Sequence, residues 1–377
     1  MSGIMRIAYG IDWISYSIIA IIAMWGLLVL YSFDSPVDAL FDKQVLLLGI
    51  AFSVMTLASF FNYRFLRKSW VVMSLYAGIV GVLGLLSIYG SVFSGAQSWF
   101  SFGSFALQPA EFAKVVLIIV LAKYFSRRHI EIKALRHLII SGMYTLVLFI
   151  LVASQPDFGS AVILFLIWFG MVLLSGINYK QVLLLVGSGL VALLILWIFV
   201  FSPYQKERIE SFIDPGADIR GAGYNALQAT IAVGSGGLWG KGVGYGSQSR
   251  LQFLPQYQTD FIIAAFAEEW GFIGMIALLA LYATLVYRIA RSGMYGETNF
   301  EMLFAGGVAI YFTAHIVVHT GINIGLLPVT GITIPFMSYG GSHLVAEALA
   351  VGMVFGMRKY NRPVHRQSTH SELYTHS

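Results

Sequence analysis

Asp260 stands where a long polar stretch of this chain gives way to an apolar run, in the order Gln258, Thr259, Asp260, Phe261, Ile262, Ile263. A carboxylate at such a boundary is costly to desolvate unless something uses it, as a proton acceptor or as the cap of the helix that follows, a role Thr259 would share. Glu111 and Lys114 are three residues apart, so on a helix they share a face and can pair. Burying the pair is unfavourable, which favours a functional cavity; the plainer reading is a structural ion pair at the top of a span. Arg208, Lys241 and Arg250 are cations of the polar stretch. The planar fork of Arg208 suits a phosphate-like anion. Lys241 lies in Gly236-Gly-Leu-Trp-Gly-Lys241-Gly, whose glycines let backbone N–H groups approach an anion, although such turns more commonly serve packing. Asp157, after Gln155 and Pro156, could hold a sugar or a divalent cation, or bond its own backbone. Gln108, Asn323 and Ser338 are further polar groups at the ends of apolar runs. Glu268 and Glu269 follow Asp260 by about two turns and are candidate pairing partners. His315 and His319 have metal-ligand spacing, but with no third ligand in a motif they read as polar groups in helix packing.

The elements that must position these residues are membrane helices. Of 377 residues 58% are hydrophobic and 11% charged, where a soluble domain carries about 25% charged residues, and mean hydropathy is +0.78. With no cysteine, neither a disulfide framework nor a thiolate metal site is available. Apolar runs fall near 13 to 33, 45 to 61, 70 to 90, 108 to 125, 138 to 154, 160 to 176, 181 to 201, 260 to 287, 302 to 323 and 335 to 357. The expectation is an all-α polytopic membrane protein of about ten spans, one integral membrane domain over residues 1–377. A large extracytoplasmic loop at about 202–259 would separate spans seven and eight. The first span lacks a cleavage pattern and reads as a retained helix. Within the long loop, the residues from Gly223 to Gly237 suit an amphipathic or re-entrant helix ended by its glycines.

Most of the 23 Lys and Arg residues lie in alternate connections: Arg64, Arg67 and Lys68; Lys123, Arg127, Arg128, Lys133 and Arg136; Arg288 and Arg291; and the tail with Arg358, Lys359, Arg362 and Arg366. By the positive-inside rule those connections, both termini and the tail at about 358–377 are cytoplasmic. The net charge of +5 is therefore a topology signal, and no nucleic-acid binding is expected. The unusual polar residues collect on the opposite, outer face, where chain-distant segments bring Gln108, Glu111, Lys114, Asp157, Arg208, Asp260, Asn323 and Ser338 to one depth.

Five blocks carry a resemblance: residues 95–114 (GAQSWFSFGSFALQPAEFAK), 155–160 (QPDFGS), 214–242 (DPGADIRGAGYNALQATIAVGSGGLWGKG), 248–261 (QSRLQFLPQYQTDF) and 323–342 (NIGLLPVTGITIPFMSYGGS). In this order the chain resembles the SEDS family (shape, elongation, division and sporulation), and its cell-elongation branch more than its division branch. Ser98, where many relatives have arginine, the Gly-Ile-Thr-Ile-Pro-Phe order at 331–336 and His343 depart from the usual pattern.

The resemblance implies a peptidoglycan glycosyltransferase of the bacterial cytoplasmic membrane that polymerises lipid II on the outer leaflet, beside a class B penicillin-binding protein. In that reaction a sugar hydroxyl displaces undecaprenyl diphosphate with inversion, so one base and a stabiliser of the leaving group are required. Asp260 is the expected base. Glu111, Lys114, Gln108 and Asp157 would support it, and Arg208, Lys241, Arg250, Asn323 and Ser338 would meet substrate or diphosphate. A divalent cation, Mg2+ or Mn2+, is an open possibility without a strong motif. The competing readings are a lipid II flippase, which would want charge through the membrane middle, and a scaffold for the penicillin-binding protein, in which Asp260 is dispensable. No nucleotide-binding GxxxxGK[ST] motif supports an ATP-driven pump.

Overall fold

A computed structural model of the chain describes residues 12–33, 40–93, 96–102, 105–127, 135–199, 203–214, 221–251, 253–294, 296 and 298–360. Helices α1 (Trp13–Phe33), α2 (Leu40–Ser59), α3 (Ser69–Tyr89), α4 (Pro109–Ser126), α5 (Leu135–Ala153), α6 (Phe158–Leu174) and α7 (Tyr179–Phe199) follow the first seven apolar segments. Helices α8 (Pro203–Ile213) and α9 (Ala222–Ser235) occupy the polar stretch, and α10 (Ile262–Met294), α11 (Asn299–Asn323) and α12 (Gly341–Tyr360) follow the last three apolar segments. Among the described residues six helices, α1, α2, α3, α5, α10 and α11, are long and apolar enough on their own to cross a bilayer. Helix α6 has 17 residues, and α4 carries Glu111, Lys114 and Lys123. Arg128, Lys133, residues 215–220, and the tail beyond 360 with Arg362 and Arg366 lie outside the described residues.

Local chemistry sets the helix starts. Pro109 opens α4, where its fixed φ fits the first turn and its missing N–H is no loss. The Asp157 side chain accepts from Ser160 N and caps α6, and at the start of α11 the Glu301 side chain accepts from Thr298 N. One feature lies outside the all-helical expectation. Strands β1 (Ser91–Phe93), β2 (Ala96–Phe102) and β3 (Phe105–Leu107) form a small antiparallel sheet between α3 and α4, with Ser91 opposite Trp99 and Phe102 opposite Phe105. Strands of three to seven residues are too short to register in a search for apolar runs of about 20 residues.

Helices α4 and α11 form the centre. Helix α4 packs against α3, α5, α6, α11 and α12, and α11 also meets α6, α10 and α12. Close approach relies on small residues: a Cβ on Gly26 of α1 would lie 2.4 Å from the Met337 carbonyl oxygen, and one on Gly352 of α12 would lie 2.5 Å from that of Met55. The segment 324–340 between α11 and α12 is irregular, exposed at 324–326 and buried at 334–338, and lies at the ends of α11 and α12 next to the start of α10. At the opposite end, among the basic connections, Asp12 pairs with Arg288 and Arg358, and Glu301 with Arg67.

Candidate active site

Residues 253–261 approach α10 as a series of turns in which the Gln256 carbonyl accepts from the N–H groups of Thr259, Asp260 and Phe261. The first helical bond runs from Ala265 N to Phe261 O, 3.1 Å, so Phe261 and not Asp260 occupies the N-cap position of α10. The capping expected of Asp260 is supplied from another helix. Asn323, at the end of α11 and fully buried, accepts from Ala264 N through Oδ1 at 2.9 Å. Its amide nitrogen donates to the carbonyls of Asp260 at 3.0 Å and His319 at 2.8 Å. Ser338, also fully buried, donates to Thr259 O at 3.0 Å and accepts from Ile334 N. Tyr339 N donates to Gln258 O at 2.8 Å. Asn323 and Ser338, expected to meet substrate, thus lie beneath Asp260 and bond backbone.

The Asp260 carboxylate is half-buried. Gly331, at φ +73°, presents bare backbone to it: a Cβ there would stand 3.8 Å from Asp260 Oδ2. Arg208, on α8, donates to Val329 O at 3.3 Å, and its field reaches the carboxylate. Burial raises the Asp260 pKa to about 6, while the Arg208 charge and the Thr259 hydroxyl oppose the rise. A carboxylate of that basicity beside a guanidinium can take a proton near neutral pH while the cation meets a developing anion.

Gln108, Asp157, Glu111 and Lys114 are held together on α4 and α6. Gln108 Nε2 donates to Asp157 Oδ2 at 2.8 Å, and Gln108 N donates to Ser342 Oγ at 3.0 Å. Asp157 Oδ1 accepts from Ser160 N as the cap of α6, so both carboxylate oxygens are bonded. Burial raises the Asp157 pKa, opposed by its bonds to Ser160 and the Lys114 charge. Lys114 Nζ donates to Glu111 Oε1 at 2.6 Å, and both are buried. The ammonium also lies 3.3 Å from His315 Nε2, which can only accept there, leaving His315 Nδ1–H to donate to Thr333 O at 2.8 Å. His319 Nδ1 bonds Ile332 O at 2.7 Å. The two histidines fasten the irregular segment to α11.

Lys241 and Arg250 lie elsewhere. Lys241 Nζ donates to Glu268 Oε1 at 2.7 Å, and that oxygen also accepts from Ser247 Oγ and Gln248 N. Glu269 Oε1 accepts from Gly244 N at 2.6 Å. Helix α10 breaks at Gly271 (φ 65°, ψ −166°), and the loop fills the break. Lys241 N and Gly242 N donate to the carbonyls of Glu268 and Glu269, and Phe272 N and Ile273 N donate to those of Gly237 and Leu238. A Cβ on Gly240 would lie 2.1 Å from Glu269 O, so these glycines serve close approach. Arg250 is exposed on the single turn Ser247–Arg250.

Two further buried polar residues brace the irregular segment and were not singled out from sequence. Gln44 of α2 donates to Ser338 O at 3.0 Å and accepts from Gly340 N, and Glu347 of α12 accepts from Phe336 N at 3.0 Å. A polar side chain inside an apolar span is the signal that would have found them. Among the described residues no group of three or more His, Cys, Asp or Glu side chains could hold a metal ion.

The family model described as "Cell cycle protein", for FtsW, RodA and SpoVE, matches residues 5–363. The chain is 31% identical over 345 residues to a protein of Escherichia coli K12 named peptidoglycan glycosyltransferase MrdB, covering 92% of each. It is 37% identical over 283 residues, 73% of each, to a Tolumonas auensis protein named probable peptidoglycan glycosyltransferase FtsW. Among solved structures it is similar to a chain from a study of polymerization and crosslinking by a peptidoglycan synthase complex, with TM-score 0.79, 29% identity and coverage of 93% of this chain and 98% of that one. The rod-shape-determining protein RodA of Thermus thermophilus matches with TM-score 0.70, 28% identity and the same coverage.

Proposed function

Because the chain belongs to the SEDS family of FtsW, RodA and SpoVE cell-cycle proteins, we propose that it is a peptidoglycan glycosyltransferase that polymerises lipid II. It would act as one integral membrane domain of about ten spans in the bacterial cytoplasmic membrane, with both termini cytoplasmic and the loop at about 202–259 outside. The observation that carries the reading is the Asp260 carboxylate at the start of α10, with its neighbouring backbone bonded from α11 and the segment after it and the charge of Arg208 reaching it.

In the proposed step the GlcNAc 4-hydroxyl of one lipid II attacks the MurNAc anomeric carbon of the growing chain. The new C–O bond forms as the bond to the diphosphate breaks, with inversion. Asp260 accepts the hydroxyl proton, and Arg208 meets the charge that passes to undecaprenyl diphosphate. Bond energy stored in the diphosphate drives the reaction, so no nucleotide is consumed. Two polyprenyl tails stay in the bilayer while their sugars meet above it, which suits a polar site over apolar helices.

The pair Glu111 and Lys114, with His315, braces α4 against α11 beneath the site. A class B penicillin-binding protein is the proposed partner, in keeping with the likeness to a chain of a peptidoglycan synthase complex. Gel-resolved polymerisation of labelled lipid II by the purified protein with that partner tests the reading. Glycan ladders from wild type and none from Asp260→Asn support it; ladders from both remove Asp260 from the chemistry, and none from wild type returns the flippase and the scaffold.

A further inference from the structure

We infer that Asn323 is a positioning residue: it caps α10 from across the helix interface, so that the Asp260 carboxylate, the nearest charged acceptor, is left to the reaction. This rests on the proposed role of Asp260 as base.

A helix N-terminus leaves N–H groups without intrahelical partners, and an Asp at the boundary is one of their usual acceptors, with Asn, Ser and Thr. Here the N-cap residue is Phe261, whose side chain offers no acceptor, and Asp260 precedes it. Among the described residues no backbone N–H bonds the Asp260 carboxylate. The Asn323 amide takes that place, and only one orientation satisfies its three partners: Oδ1 toward the Ala264 N–H, and Nδ2 toward the Asp260 and His319 carbonyls. The same side chain therefore caps the helix and fixes the base's own backbone. Ser338 and Tyr339 extend the grip, so that the consecutive carbonyls of Gln258, Thr259 and Asp260 each accept from the end of α11 or the segment after it. Three carbonyls in a row, bonded from outside their own helix, fix where the carboxylate is carried without touching it. Gly331, at φ +73° on the same segment, lies beside Oδ2.

Of the titratable groups on the elements around Asp260, Arg208 on α8 acts on it directly. His319 on α11 is turned to the Ile332 carbonyl, and Glu268 on α10 to Lys241. Removing the amide changes this balance in a direction that depends on its replacement. In Asn323→Ala the orphaned Ala264 N–H draws the Asp260 carboxylate onto the helix end. Its charged form is then stabilised and its reach toward a sugar hydroxyl is lost. In Asn323→Asp an acceptor for Ala264 remains, but a second carboxylate stands beside Asp260 and disfavours its ionisation.

The test is polymerisation of fluorescent lipid II by the purified full chain with its penicillin-binding partner, across a pH series, for wild type, Asp260→Asn, Asn323→Ala and Asn323→Asp. Thermal melting is recorded for each. The expected result for Asn323→Ala is a fall in kcat of about 100-fold, the scale of a misplaced catalytic group, with KM nearly unchanged. Its acid limb moves to lower pH, while that of Asn323→Asp moves to higher pH. Lowered melting with an unmoved limb in both variants, or wild-type kcat in Asn323→Ala, overturns the positioning role while Asp260→Asn stays inactive. Full activity in Asp260→Asn instead overturns the reading of the base beneath it.

Discussion

Two carboxylates, Asp260 and Glu268, are eight residues apart, and they are treated in opposite ways. Glu268 has one oxygen bonded by Lys241, Ser247 and the Gln248 N–H, so its charge is spent on closing the loop over the break at Gly271. Around Asp260 the backbone is bonded and the carboxylate is left, with raised basicity, beside a cation. Both lie in a stretch that looks functional by composition. What separates them is whether the side chain's hydrogen-bonding capacity is consumed by the fold.

The largest effect that would break this contrast is at Asp260 itself. Asp260→Asn should lower polymerisation about 1,000-fold, within the range a positioned base contributes, while melting temperature at neutral pH rises. The sign follows from linkage: the folded pKa of about 6 lies above the ordinary carboxylate value, so stability present at low pH is lost as pH rises through about 6. A neutral amide avoids that loss. An unchanged or lower melting point would count against a strained base. Next in size, Arg208→Ala should lower the rate about 100-fold, the scale of one lost donor to a developing anion. It should also move the acid limb to higher pH, because the guanidinium holds the Asp260 pKa down. A limb that stays in place would separate Arg208 from the base.

On the structural side, Gly240→Ala should lower stability by about 1–3 kcal/mol, the cost of overpacking, because its Cβ has no room beside Glu269 O. Protein that folds should keep the wild-type pH profile. Smallest of all in its effect on rate, Lys241→Gln should change polymerisation by folded protein no more than about twofold; it leaves the fully buried Glu268 carboxylate without its cation, so its effect is read in lowered melting. A large loss of kcat there would return Lys241 to the diphosphate site where its glycine-rich surroundings first placed it.

Much of this architecture was legible in the sequence. Apolar runs of span length mark the membrane helices because each must satisfy its backbone internally, and the residues from Ala222 to Ser235 form the expected short helix. Asp260 stood out because a charge at the edge of an apolar run is costly. The roles of Asn323, Ser338 and Lys241 were not legible, because each depends on a partner far away in the chain. Asn323 and Ala264 are 59 residues apart, Ser338 and Thr259 79, and Lys241 and Glu268 27. A polar residue next to glycines looks the same whether it meets a ligand or an orphaned carbonyl. The sheet before α4 was not legible for a different reason: its strands of three to seven residues are far shorter than the apolar runs of about 20 residues that mark membrane spans.

The most direct measurement is the rate of glycan-strand formation from labelled lipid II as a function of pH, for wild type and Asp260→Asn at equal folded concentration with the proposed penicillin-binding partner present. If Asp260 is the base, the wild-type rate rises with pH through a limb near the pKa of about 6, and the variant shows neither the rate nor the limb. A variant that forms strands at the wild-type rate, or keeps the same limb, would contradict that role.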